Sequence, residues 1–130
     1  MKVLSIKEPF ASLVMNGIKH IETRSWKTTY RGEIYIHASL KKAVVTDERY
    51  KKLLSLLPKN YEFKHGKIIC RCKLVDCVCM TEEYIHDIKK NKPVEYLCGH
   101  YEVGRYAWVI EDAFVVKEID ATGKLGIWNY

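Results

Sequence analysis

Gly17-Ile18-Lys19-His20-Ile21-Glu22-Thr23-Arg24-Ser25-Trp26 sets an amine, a carboxylate and a guanidinium between an apolar segment and an alternating one. The segment before it reads as a helix from about Pro9 to Asn16. Proline suits a first helical turn, where its missing N–H is no loss. Phe10, Leu13, Val14 and Gly17 recur at helical spacing. Asn16-Gly17 reads as the stop, because glycine takes the left-handed conformation that closes a helix. Beyond it, Ile21, Thr23 and Ser25 alternate with Glu22, Arg24 and Trp26, so Glu22, Arg24 and Trp26 share one strand face. Lys19 lies in the turn, where its long stem can swing to the same side. The unit therefore gathers Lys19, Glu22 and Arg24 into one small volume. A solvated strand face held by a salt bridge is the plainer alternative.

Working outward, Met1–Ile6 is a short apolar strand. Lys27–Gly32 is a basic hairpin connection. Glu33–Ala38 is a strand with Ile34, Ile36 and Ala38 inward and Glu33, Tyr35 and His37 on the other face. Ser39–Ala43 reads as a basic turn. Thr46 caps a helix with Asp47 and Glu48 in its first turn, and Pro58 stops it. Lys67–Cys79 is a strand, Thr81 caps a short helix, and Tyr106–Lys117 is a long strand. Val94–Glu102 gives no clear signal. Leu125–Tyr130 is too apolar for a free tail and is expected to dock.

Three blocks resemble the ASCH domain family, a branch of the PUA-like superfamily. Gly17, Lys19, Glu22 and Arg24 match Gly-x-Lys-x-x-Glu-x-Arg. Ser5–Leu13 is similar to the family's opening, with Lys7-Glu8 and Phe10 as variants. Arg31–Ala38 and Gly104–Ile110 resemble two of its strands. Within the family the likeness is to the domain at the end of thyroid-receptor-interacting transcription coactivators. Together with the element order, the resemblance implies an α+β fold, a small mixed β-barrel with two or three helices packed outside, over one domain, residues 1–130. It also implies a cleft between the first helix and the following strand that takes nucleic acid, single-stranded RNA above all, or a nucleotide-like small molecule. By position Lys19, Glu22 and Arg24 stand on its wall and Lys7 and Phe10 at its rim. Trp26, Tyr30 and Arg31 occupy the adjoining loop, and Arg105 a strand entrance. Aromatic faces stack on bases, arginine forks onto phosphate, and a carboxylate accepts from an exocyclic amine.

Two other classes stand beside this. Some relatives resemble amidohydrolases of a modified cytidine, which use a lysine, a threonine three residues later and a distant glutamate. Here Lys19 is followed by Glu22 at the threonine position, and Thr23 is one residue off. A different hydrolysis, of a modified nucleoside or of RNA, would use Glu22 to activate water and Lys19 or Arg24 to hold an oxyanion. The coactivator likeness suggests a protein-interaction module with a protein partner.

Composition narrows the choice further. The chain has 130 residues, 48% of them hydrophobic, and a net charge of +6. The charge is uneven: residues 1–66 hold 13 Lys/Arg against 6 Asp/Glu, and residues 67–130 hold 9 against 10. A basic balance suits a polyanion, through phosphate neutralisation and counterion release. No apolar run is long enough to span a bilayer, and Met1–Lys7 is too soon charged for a secretory signal, so a cytoplasmic location away from membranes is expected. Cys70 and Cys72 face opposite to Cys77 and Cys79 on a straight strand. Four thiolates would meet at one zinc only across a bend, so packing is the expected role, with no metal and no cofactor.

Overall fold

A computed structural model describes residues 1–130. The elements are β1 (Lys2–Glu8), α1 (Phe10–Met15), β2 (Ile21–Arg24), β3 (Gly32–Lys42), α2 (Asp47–Ser55), β4 (Lys67–Cys79), α3 (Glu82–Asn91), α4 (Pro93–Leu97), β5 (Tyr106–Asp120) and β6 (Ile127–Asn129). The fold is α+β. Its six strands form one mixed sheet in the order β2-β5-β4-β3-β1-β6. β1 runs parallel to β3, and the other pairs are antiparallel. None of the helices is long and apolar enough to cross a membrane.

The sheet does not close into the expected barrel: β2 and β6 are both edges, and no backbone ladder joins them. The sheet nevertheless curls. Laid flat, β2 and β1 are four ladder steps apart, about 19 Å at the usual strand spacing. Yet Arg24 Nη2 on β2 donates to the Ser5 carbonyl on β1 at 2.8 Å. One arginine side chain cannot span the flat distance, so the sheet bends until its two ends nearly meet and a seam remains between them. Register shifts supply the bend. Three interrupt the β4–β5 ladder, and one each the β3–β4 and β1–β3 ladders. Leu4, Ile34, Ile36, Cys70, Cys72, Trp108 and Ile110 fill the concave side, where α1 adds Ala11 and Val14.

α1 is only 6 residues long. That is too short to persist unaided, so tertiary contacts hold it. Ala11, Leu13 and Val14 are buried. The Glu8 carboxylate, itself buried, accepts from the Ser12 N–H at 2.8 Å and the Ser12 hydroxyl at 2.6 Å. This acid does the work of a helix cap. At the other end Gly17, with φ +71°, closes the turn, and its N–H bonds the Val14 carbonyl. Thr46 and Thr81 cap α2 and α3 through their hydroxyls, as their positions suggest.

Four expectations need correction beside the barrel. Ser39–Lys42 continues β3 instead of turning, because its partner β1 runs alongside as far as the Glu8–Lys42 pair. The helices number four, since Pro93 opens a further one within the unreadable stretch. Pro9 stands just outside α1 and not in its first turn. Lys27–Gly32 is not a hairpin connection, because β2 pairs with β5 while β3 pairs with β1 and β4, so the segment crosses between strands that are not neighbours. His37 lies on the outer face of β3, as the alternation implies, and is fully buried there because the C-terminal segment covers it. Its Nε2 donates to the Ala121 carbonyl and its Nδ1 pairs with the Ser5 hydroxyl, which also accepts from Trp128 Nε1. Leu125–Tyr130 does dock: β6 pairs with the start of β1.

In β4, Cys70 and Cys72 belong to the core, Cys77 is half-buried and Cys79 is exposed. No three metal-ligating side chains come together.

Candidate nucleic-acid interface

The turn after α1 is held from both sides. Its Lys19 N–H bonds the Leu13 carbonyl, and the buried Glu95 of α4 accepts the backbone N–H groups of His20 and Ile21. This fixes where Lys19 goes. Its side chain is buried, and Nζ donates to the carbonyls of Ile21 and Cys98, each at 2.6 Å. The third proton faces Glu22 Oε1 at 3.5 Å. An ammonium has three donors, and here all three meet an oxygen. Glu22 Oε2 takes Arg24 Nε at 2.9 Å and Nη2 at 2.8 Å. Amine, carboxylate and guanidinium therefore meet, as the alternation of the strand implies. Each carboxylate oxygen already faces a cation.

The seam opens into a cleft of about 910 Å³. Seven Lys/Arg line it (Lys7, Lys19, Arg24, Lys41, Arg49, Arg105 and Lys124) against one acid, Glu22. The whole chain holds 22 Lys/Arg and 16 Asp/Glu, so 15 of each remain elsewhere. The net charge of the protein is thus the net charge of its cleft.

Of the residues singled out from sequence, Lys7, Phe10, Lys19, Glu22, Arg24, Trp26 and Arg105 line the cleft. Lys7 is exposed and makes no ion pair. The Phe10 ring is half-buried between Lys19 Nζ at 5.5 Å and the Arg49 guanidinium at 5.6 Å. Trp26 stands on the lip, 39% exposed, edge-on to the fully buried Trp108 at 4.7 Å. Tyr30 and Arg31 fall outside. The Tyr30 hydroxyl donates to the Glu33 carbonyl and Arg31 to the carbonyls of Thr28 and Tyr30, so that loop folds on itself. Thr23, the displaced threonine of the hydrolase reading, accepts the His100 N–H through its hydroxyl.

Sequence reasoning missed Arg49, Lys41 and Lys124, along with the exposed apolar rim of Val44 and Leu125. Lys41 carries a signal, a basic run, but in sequence that run reads as a turn. Arg49 carried none: it sits on α2 among charged neighbours and reaches the site only through the tertiary fold.

The profile of one protein family, described as the ASCH domain, matches residues 4–121. The chain belongs to the ASCH domain family. Among curated proteins this ASCH chain is 32% identical to Activating signal cointegrator 1 of Homo sapiens over 105 residues, 73% of the chain and 18% of the relative. It is 30% identical to Activating signal cointegrator 1 of Mus musculus over 102 residues, 72% of the chain and again 18% of the relative. The chain thus spans under a fifth of the length of these relatives. The matched residues include every motif position in the turn and the cleft-lining Arg49 and Arg105.

Proposed function

We propose that the seam cleft of this ASCH chain binds single-stranded nucleic acid, with RNA the class that the family resemblance favours. One observation carries the reading: the protein's excess positive charge lies in a single concavity, and the Lys/Arg and Asp/Glu outside it are equal in number. A polyanion whose phosphates are neutralised in such a cleft releases its counterions to the bulk and gains affinity regardless of sequence. The partly open Trp26 ring supplies a stacking face, worth about 1–3 kcal/mol per base. A duplex hides its bases and cannot use that face.

The hydrolase roles of Lys19 and Glu22 draw no support from the geometry, because both side chains are committed to each other and to the backbone. The roles proposed instead are phosphate contact for Arg24 and Arg105, a positive field from the exposed Lys7 and base stacking for Trp26, with Lys19 and Glu22 holding the wall in place.

Fluorescence anisotropy with a mixed-sequence single-stranded RNA and its duplex tests the reading. The single strand is expected to bind more tightly, and Trp26→Ala to remove most of that preference. Equal binding of both forms by wild type and variant would contradict it.

A further inference from the structure

Three arginines reach the cleft from three different elements: Arg24 from β2, Arg49 from α2 and Arg105 from the loop before β5. Their side chains are tied in the same way. Arg24 uses Nε and Nη2 on Glu22 and the Ser5 carbonyl. Arg49 uses Nε and Nη2 on the carbonyls of Leu97 and Gly99. Arg105 uses Nε and Nη2 on the carbonyls of His100 and Thr23. In each case Nη1, with its two N–H groups, has no protein partner. Arg31, outside the cleft, has the reverse arrangement and uses Nη1 on the Thr28 and Tyr30 carbonyls.

The pattern has a physical consequence. A free surface arginine loses rotamer entropy when it is fixed on a ligand. These three are already fixed by their own backbone contacts, so a ligand that meets their remaining edge orders little more. Lys7, Lys41 and Lys124 are exposed and lie outside every ion pair, so they lack that restraint. They contribute a field and not a site. The chemistry that fits several fixed N–H donors in a cationic hollow is the oxygen set of a phosphate. Glu22 is the carboxylate among them, and Lys19 and Arg24 already neutralise it.

We infer that Arg24, Arg49 and Arg105 form a pre-set phosphate anchor, in which the Nη1 edges hold phosphate oxygens and the lysines only raise local concentration. This rests on the proposed nucleic-acid reading and adds what it lacks, the groups that fix the strand's position. The phosphate is either an internal phosphodiester or a terminal monoester.

The test compares wild type, Arg49→Lys, Arg105→Lys and Lys124→Ala, each with a 5′-phosphorylated RNA ten-mer and with its 5′-hydroxyl twin. Arginine-to-lysine changes keep the charge and remove the fixed fork. Losing charge-assisted hydrogen bonds to one phosphate is expected to weaken binding about tenfold or more. Lys124→Ala is expected to cost less than either change. A loss with both strands identifies internal phosphodiesters, and a loss confined to the phosphorylated strand identifies the terminal group. Melting curves accompany each variant. Arg105→Lys, whose bond to the His100 carbonyl is exposed, keeps the test open should Arg49→Lys unfold. The anchor is overturned if wild type binds while folded arginine-to-lysine variants match it, or lose no more than Lys124→Ala. Wild type that binds neither strand overturns the proposed function itself, and the anchor with it.

Discussion

Lys19 shows how a residue's chemistry and its place can point in different directions. In sequence it resembles a hand for phosphate, or a base. In the fold it is buried, with two carbonyls and a carboxylate on its three protons. Without the ammonium Glu22 keeps Arg24, but the buried Ile21 and Cys98 carbonyls lose their donor, at about 1–3 kcal/mol for a group left unsatisfied. Lys19→Met is therefore expected to lower stability to denaturant by that order. Lys7→Ala, at an exposed unpaired site, is expected to stay within about 0.5 kcal/mol of wild type. Equal losses for both would mean that Lys19 is not the wall's support. The convergence of Lys19, Glu22 and Arg24 was legible because strand alternation and a glycine stop are local rules. The spending of Lys19 was not, since one of its acceptors, the Cys98 carbonyl, is 79 residues away. The same holds for Arg49. Nothing in its neighbours' identity says that the helix will turn it toward Phe10.

At the scale of elements, local chemistry was readable where the partner is near in sequence. Thr46 and Thr81 announce their helices because the N–H each accepts is three residues on. The continuation of β3 through Ser39–Lys42 was hidden, because its composition says turn and only the neighbouring β1 makes it strand. α4 was hidden for the same kind of reason: it is 5 residues long, and its key side chain, Glu95, is an acid that a sequence places outside. Glu8 is a further buried acid, and it serves α1. Glu8→Ala leaves the Ser12 N–H and hydroxyl without acceptors, an expected loss of about 1–3 kcal/mol in denaturant unfolding. β4 makes an alkaline prediction. Burial pushes the Cys72 thiol from 9.0 up to about 12, and burial also raises Cys70 and Cys98. Above pH 9 the unfolded chain gives up thiol protons that the folded chain keeps. Stability therefore falls as pH rises through that window, by up to about 1.4 kcal/mol per pH unit for each thiol. Urea unfolding at pH 8, 9 and 10 checks this, and Cys72→Ala is expected to flatten the slope. A slope unaltered by that change would remove the thiol as its source.

For the whole molecule, the α+β class and nearly every strand could be read from the chain, but not the way the sheet ends. A ladder that stops short of closure cannot be seen in side-chain alternation, because both edges look like ordinary strands. Its consequence is the cleft. Arg24 fastens β2 to β1 without closing the ladder, so Arg24→Met is expected to speed amide exchange in β2 and in β1 around Ser5, with β3 and β4 unaffected. Uniform exchange across the sheet would show that the clasp is not local. The seam is also where the charge accumulates, which gives the molecule one cationic hollow while the Lys/Arg and Asp/Glu outside it are equal in number. The most direct measurement is the salt dependence of single-stranded RNA binding by wild type and by the triple variant Lys7→Ala, Lys41→Ala, Lys124→Ala. Each phosphate neutralised contributes about 0.7 to the logarithmic slope for a single strand, so the variant's slope is expected to be shallower by about 2. Parallel lines for the two proteins, or no salt dependence in wild type, would contradict a cleft that works by gathering positive charge.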